Sequence, residues 1–173
     1  MWDFFETVRH RHSVRKYHAN LPVEAEKLHA LLEMACAAPS AGDLQSYRII
    51  VVQDAETRAA LRQSADNQDF IEQAPVCLVF CADASRASSE FGTRGASLYA
   101  LQDATIAAAY SQLATVAAGM ASTWIGRFDE QRIRDLLELP ETLTPVALIS
   151  IGYPDELPEP TSRRHLDEVV EYR

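Results

Sequence analysis

The chain is short of glycine, of cysteine and of positive charge, and each shortage excludes a class of function. Six glycines in 173 residues, at 42, 92, 95, 119, 126 and 152, make neither a phosphate-cradling Walker loop nor a dinucleotide fingerprint. No His-Glu-x-x-His occurs, and the five histidines do not pair with cysteines at metal-ligand spacing. His10, His12 and His18 are near one another in sequence, but the arginines among them oppose a cation, so no metal site is expected. The Gly-x-Ser-x-Gly elbow of a hydrolase is also missing.

The three cysteines (Cys36, Cys77, Cys81) are an odd number, so at least one lacks an intrachain partner. Cys77 and Cys81 fall in a β-like run, where a four-residue offset separates them by roughly 13 Å on one face. That distance excludes a disulfide and a shared metal. All three read as small core hydrophobes.

Positive charge is outweighed, 16 Lys plus Arg against 25 Asp plus Glu, for a net charge of −9. A duplex binder gains affinity mainly by neutralising phosphates, so a general nucleic-acid partner is not expected. An anionic membrane surface is disfavoured for the same reason. The most apolar windows, "CLVFCA" and "TPVALISIGY", are far below spanning length. The opening "MWDFFETVRHRH" lacks the charged-then-apolar order of a signal peptide. Cytoplasm is the expected location.

What is present describes a globular protein. An apolar fraction of 47% and a length of 173 residues suit one domain, 1–173, with a real core. Residues 23–37 place Leu28, Leu31, Leu32, Ala35 and Cys36 at helical spacing, with Pro22 before and Pro39 after. Residues 97–118 predict a longer helix, so rich in alanine that it belongs at the centre or at a subunit interface. Shorter helices fit 2–10, 55–64 and 130–138, the last capped by Asp129. Strands fit 47–54, 76–82, 122–126 and 145–153. The order indicates an α+β sheet surrounded by helices. The stretch 82–96, "ADASRASSEFGTRGA", reads as a mobile cover. In the tail, Pro154, Pro158 and Pro160 favour extended chain, yet Leu166, Val169 and Val170 restore an apolar pattern. A disordered tail has no need of those residues, so 154–173 is expected to dock, on a second subunit.

One stretch runs against the acidic balance. "RHRHSVRKYHA", residues 9–19, holds seven basic or potentially basic side chains in eleven positions. In extended chain Arg11, Ser13 and Arg15 alternate onto one side. Two guanidinium forks and a hydroxyl there match the acceptors of a phosphate monoester. Arg163 and Arg164, near the other terminus, add charge that could share the same anion.

At these residues the sequence resembles the nitroreductase family of FMN-dependent oxidoreductases, over essentially its whole length. "RHRHSVRKY" is similar to the family's opening Arg-x-Ser-x-Arg-x-aromatic motif. "APSAGDLQSYRIIVV" resembles its second block, usually Ala-Pro-Ser-x-x-Asn-x-Gln-Pro-Trp before a strand. "QDATIAAAYSQLATVAAGMASTWIG" looks like the long interface helix and the flavin-facing strand, and "ISIGYPDE" with "RRHLDEVV" like the closing strand and tail.

The resemblance implies a nitroreductase-like α+β fold with a central, mostly antiparallel sheet flanked by helices. It implies an intertwined homodimer with FMN at the interface. On that match Arg11, His12, Ser13 and Arg15 hold the phosphate and pyrimidine edge of the flavin, and Arg163, with Arg164 second, completes the phosphate site. Pro39, Ser40, Asp43 and Gln45 match the block contributed by the partner. Trp124, Ile125 and Gly126 match the stretch against the ring, and Asn67 and Gln68 stand where the family supplies polar contacts to the pyrimidine edge. Each has a plainer reading beside it: Ser40 and Asp43 as turn residues after Pro39, Gln45 as a partner for backbone, Trp124 as core.

The implied activity is NAD(P)H-dependent reduction of nitroaromatics, quinones or similar electrophiles by ping-pong hydride transfer through flavin N5. NADH or NADPH serves as donor. No side chain acts as nucleophile; Arg11 and Gly126 tune the flavin. Arg86 or Arg94 in the 82–96 stretch could favour a 2′-phosphate. Two departures from the pattern stand out: Asp43 replaces the usual Asn, and Ser46-Tyr47 replaces Pro-Trp. They keep open a flavin-binding sensor or carrier without turnover, and a related flavin enzyme such as a reductive dehalogenase.

Overall fold

In the computed structural model, which describes residues 3–173, the four apolar runs become one antiparallel sheet. The strands are β1 (Tyr47–Val52), β2 (Val76–Asp83), β3 (Ala121–Ile125) and β4 (Leu143–Gly152), in the order β1-β2-β4-β3. β2 and β4 are central and almost wholly buried, because helices cover both faces. That is why their sequences read as continuous apolar runs rather than as alternation.

The two faces separate by parity along β2. Cys77, Val79 and Cys81 point into one core with Leu61, Phe70, Ile71 and Ile133, from α3 (Ala55–Ser64), α4 (Phe70–Gln73) and α7 (Glu130–Leu136). Val76, Leu78 and Phe80 point into the other, with Leu28, Leu31 and Ala35 from α2 (Ala25–Cys36) and Ala107 and Ala108 from α6 (Ala100–Ala117). A register shift at Phe80/Cys81 opposite Pro145 and Ala147 interrupts the β2–β4 ladder. Proline has no N–H for the ladder, so the irregularity falls where one bond is unavailable.

Local chemistry sets the helix ends. α1 (Phe4–His10) opens with a capping box: Asp3 Oδ1 accepts the Glu6 N–H at 2.8 Å and Glu6 Oε2 accepts the Asp3 N–H at 3.3 Å. The Trp2 end of the predicted 2–10 helix lies outside the described residues. Asp129 caps α7 as expected, its Oδ1 accepting the Arg132 N–H at 3.1 Å.

Three expectations are corrected. The stretch 82–96, expected as a mobile cover and given no helix, is largely helical: α5 (Ala84–Arg94) joins α6 through a π-helical turn, Gly95–Tyr99. Alanines packed at its base hold it: Ala87 sits in a small core with Ala82, Ala100 and Ala104. The long helix consequently begins at Ala100 and not at 97. Cys36, at the end of α2, is exposed, whereas Cys77 and Cys81 are buried and free as expected. Among the described residues no helix is long and apolar enough to cross a membrane.

Candidate active site

The basic segment after α1 is stitched along β3. Ser13 pairs with Ser122 in a parallel bridge, and the Val14 N–H donates to the Ser122 carbonyl at 3.2 Å. The Thr123 hydroxyl donates to the Val14 carbonyl. Val14 is buried while Ser13 is half-buried and Arg15 exposed, the alternation expected of extended chain. It ends there, since Tyr17, in phase with Arg15, is buried with its hydroxyl 3.0 Å from Ser150 Oγ. Burial pushes the Tyr17 phenol up to about 12. On the far side the segment is tied to the chain beyond β4. Lys16 O accepts the Asp155 N–H at 2.9 Å, and Glu156 Oε1 accepts the Arg15 N–H at 2.6 Å.

Most basic residues elsewhere are engaged. Lys27, Arg62, Arg127, Arg132, Arg134, Arg164 and Arg173 each hold a carboxylate. Arg58, Arg86, Arg94 and Arg163 each donate to an oxygen. Among the described residues that leaves Arg9, Arg11, Arg15, Lys16 and Arg48 with no side-chain hydrogen bond or ion pair. Four of these five lie within 9–16. An acidic protein that leaves its unmatched cations on one short segment has the electrostatics of an anion site.

The block after α2 forms a second wall. Pro39 leads into a 3₁₀ turn, Ala41–Asp43, and Gly42 (φ 56°), Asp43 (φ 55°) and Gln45 (φ 50°) all adopt left-handed backbone. Asp tolerates that region better than most side chains, as Asn does, so Asp43 suits its left-handed backbone. Gln45 has no such ease and is held from outside. Its N–H donates to Ser40 Oγ at 3.0 Å and its Nε2 to the Cys36 carbonyl at 2.8 Å. The plainer reading of Ser40 and Gln45, as partners for backbone, thus describes bonds they make. Asp103, 2% exposed on α6, accepts the N–H groups of Ala41 at 2.9 Å and Ser46 at 3.2 Å. Between this loop and α6 lies a cavity of about 580 Å³, lined by Pro39, Ser40, Tyr99, Leu101, Thr105 and Ile106, among others.

At the end of β3, Ile125 is buried, Trp124 is half-buried against the α2/α6 core, and Gly126 is exposed. Gly126 lines a second cavity with Ser97, Phe128 and Val146, and Leu101 is common to both cavities. Asn67 and Gln68 sit in the turn between α3 and α4, which the Arg127–Asp66 ion pair at 2.7 Å ties to the residue after Gly126. Gln68 Nε2 donates locally to Ala65 O at 3.0 Å. The Asn67 side chain makes no hydrogen bond among the described residues.

Three predicted groups therefore lie along β3: the 11–15 segment beside Ser122, Trp124–Gly126 at the strand's end, and the 66–68 turn beyond it. Arg163 and Arg164 do not join them within one chain. Arg163 donates to Thr161 and Ser162, Arg164 pairs with Glu168 at 3.1 Å, and all of 161–173 is exposed. Sequence reasoning missed Asp103 and Glu156. A lone carboxylate inside an alanine-rich helix was a visible signal for the first. Nothing local marked the second.

Fold and site define an α+β protein with a cation-rich segment bridged to the start of β3 and a largely apolar cleft between the 39–46 loop and α6. The Nitroreductase family model matches residues 8–67 and 63–153. An NADH dehydrogenase of Thermus thermophilus is 34% identical over 94% of this chain and 92% of its own. An FMN reductase [NAD(P)H] of Bacillus subtilis is 32% identical over 89% of this chain and 67% of its own. The solved NADPH:FMN oxidoreductase of Vibrio harveyi, complexed with NAD+, superposes with a TM-score of 0.89 at 30% identity, covering 98% of this chain and 76% of that one. The chain belongs to the nitroreductase family.

Proposed function

We propose that this protein is an FMN-dependent NAD(P)H oxidoreductase that reduces nitroaromatics, quinones or similar small electrophiles. The observation that carries the reading is the set of unmatched cations at 9–16, on the segment that Ser13 fastens to β3. Relatives named FMN reductase and NADPH:FMN oxidoreductase, matched over most of the chain, support it.

The residues fit the cofactor. Arg11 and Arg15 offer free guanidinium charge, and Ser13 a hydroxyl, to a phosphate. Trp124, Ile125 and exposed Gly126, without a Cβ, suit a flat ring laid along the strand end. Asn67 has an uncommitted amide for its polar edge. Pro39, Ser40, Asp43 and Gln45, on a loop anchored by Asp103, form the facing wall. When bound, FMN would supply the hydride transfer from nicotinamide to electrophile, while the chain supplies position and charge. Cationic Arg11 favours electron density arriving beside it.

The working form on this reading is a cytoplasmic homodimer, each chain a single domain whose 154–173 tail docks on its partner and brings Arg163 and Arg164 to the phosphate. Exposed apolar residues favour it: Phe4, Phe5 and Val8 on α1, Leu101 and Tyr110 on α6, and Leu157, Leu166 and Tyr172 in the tail. The test is optical. The purified protein should carry or take up FMN, and NADH or NADPH should bleach it anaerobically, with a quinone restoring the colour. A protein that neither carries nor binds FMN overturns the reading.

A further inference from the structure

The cavity between the 39–46 loop and α6 has no free charge on its walls. Its one lining carboxylate, Asp103, has both oxygens engaged by backbone N–H groups. A cation stands beside it on Tyr99, one of the lining residues. The Arg94 guanidinium carbon lies 5.5 Å from the Tyr99 ring centroid, and Arg94 Nε donates to Tyr99 Oη at 3.0 Å. Phe91 meets the same ring edge-on, with centroids 5.3 Å apart and planes at 79°. The ring is thus braced from α5, and Phe91 in turn rests against Gly42, where an added Cβ would lie 2.9 Å from Phe91 Cζ. Arg94 has no carboxylate partner among the described residues. Its neighbour Arg86 is committed to the Leu44 carbonyl.

The geometry points to Arg94 as a specificity residue: it binds an anionic group on the molecule that enters the cleft. The terminal nitrogens of a guanidinium held by its Nε remain available as donors, and a fork fixed over an aromatic face loses little freedom on binding an oxyanion. Two ligands bring that chemistry, the 2′-phosphate of NADPH and a ring carboxylate on the acceptor. The inference rests on the oxidoreductase reading above and narrows its substrate class.

The test compares matched pairs on FMN-loaded enzyme. NADPH is set against NADH with a neutral quinone as acceptor, and 4-nitrobenzoate against nitrobenzene with NADH as donor. Arg94→Ala should lower the kcat/KM ratio of the molecule carrying the extra anionic group to its partner about tenfold in one pair, the loss of charge-assisted hydrogen bonds, and Arg94→Glu should lower it further. A fall in the first ratio assigns the donor phosphate, and a fall in the second the acceptor carboxylate. Tyr99→Phe, which frees Nε, should give a smaller fall in the same ratio. Binding of adenosine 2′,5′-bisphosphate against AMP, followed by fluorescence quenching, reads the donor arm without turnover. If neither ratio moves in Arg94→Ala or Arg94→Glu, the inference is wrong. Wild-type oxidation of NADH by a neutral quinone separately tests the flavoenzyme reading, so the two failures are distinguishable.

Discussion

Asp103, inside the alanine-rich helix α6, accepts the backbone N–H of Ala41 at 2.9 Å across 62 positions of sequence. Its other oxygen takes the N–H of Ser46, so one buried carboxylate anchors both ends of the loop that we propose faces the cofactor. Asp103→Ala leaves two donors without partners and should cost about 3 kcal/mol, read as a lower urea midpoint. Asp103→Asn keeps one acceptor and should cost about half of that. Both should weaken FMN binding; full stability in the alanine variant would refute the anchoring role.

The unmatched Arg11 and the tail's Arg163 predict separate effects from two ends of the chain. Arg11→Ala should weaken FMN binding by about 2 kcal/mol, and more at low ionic strength than at high. Arg163→Ala should weaken it comparably only if the tail of a partner subunit closes the site, because within one chain Arg163 reaches only Thr161 and Ser162. Fluorescence quenching of FMN measures both. An unaffected Arg11→Ala removes that residue from the site, and an unaffected Arg163→Ala removes the tail.

Ser46 stands where the family motif usually has proline, and its buried Oγ has no hydrogen-bond partner. A buried unsatisfied hydroxyl is a net cost, so Ser46→Ala should raise stability by about 1 kcal/mol. Ser46→Pro should lower it, because the N–H that Asp103 accepts disappears. Denaturation midpoints with an unchanged slope would show both effects.

Alkaline pH should destabilise the protein through groups that burial keeps neutral, Tyr17 and Cys77 among them. Tyr17 is raised from 10.0 to about 12 and Cys77 from 9.0 to about 12. A pKa raised in the folded state means that the native form holds its proton longer. The associated stability is complete below pH 9 and is lost as pH rises towards 12. Tyr17 accounts for on the order of 2 kcal/mol of that loss, all above its ordinary value. Tyr17→Phe should flatten the decline above pH 10, measured by thermal midpoints from pH 8 to 11; an unchanged profile would exclude Tyr17 as its source.

Much of this architecture was legible in sequence. The apolar runs at 47–54, 76–82, 122–126 and 145–153 became the four strands within a few residues; in the central pair, β2 and β4, burial on both faces leaves mostly Val, Ile, Leu, Cys and Ala. The inward turn of Val14 between Ser13 and Arg15 was legible because extended chain has a fixed period of two. The helix at 84–94 was not: Ser, Gly and Arg make its local pattern loop-like, and what orders it is Ala87 packing on Ala100 and Ala104. Cys36 was misplaced because a helix-end residue at core spacing can still fall just beyond the packed face.

By itself the sequence determined the sheet-forming segments, the concentration of cations near the start and the family, since each is written in neighbouring residues or in ordered motifs. Tertiary structure alone decided that the cations lie along β3, that Asp103 holds a loop 62 positions distant, and that Arg94 rests on a cleft-lining ring. Those contacts join residues far apart in the chain or turn on side-chain direction. Only the packing of helices on both faces of one sheet specifies them.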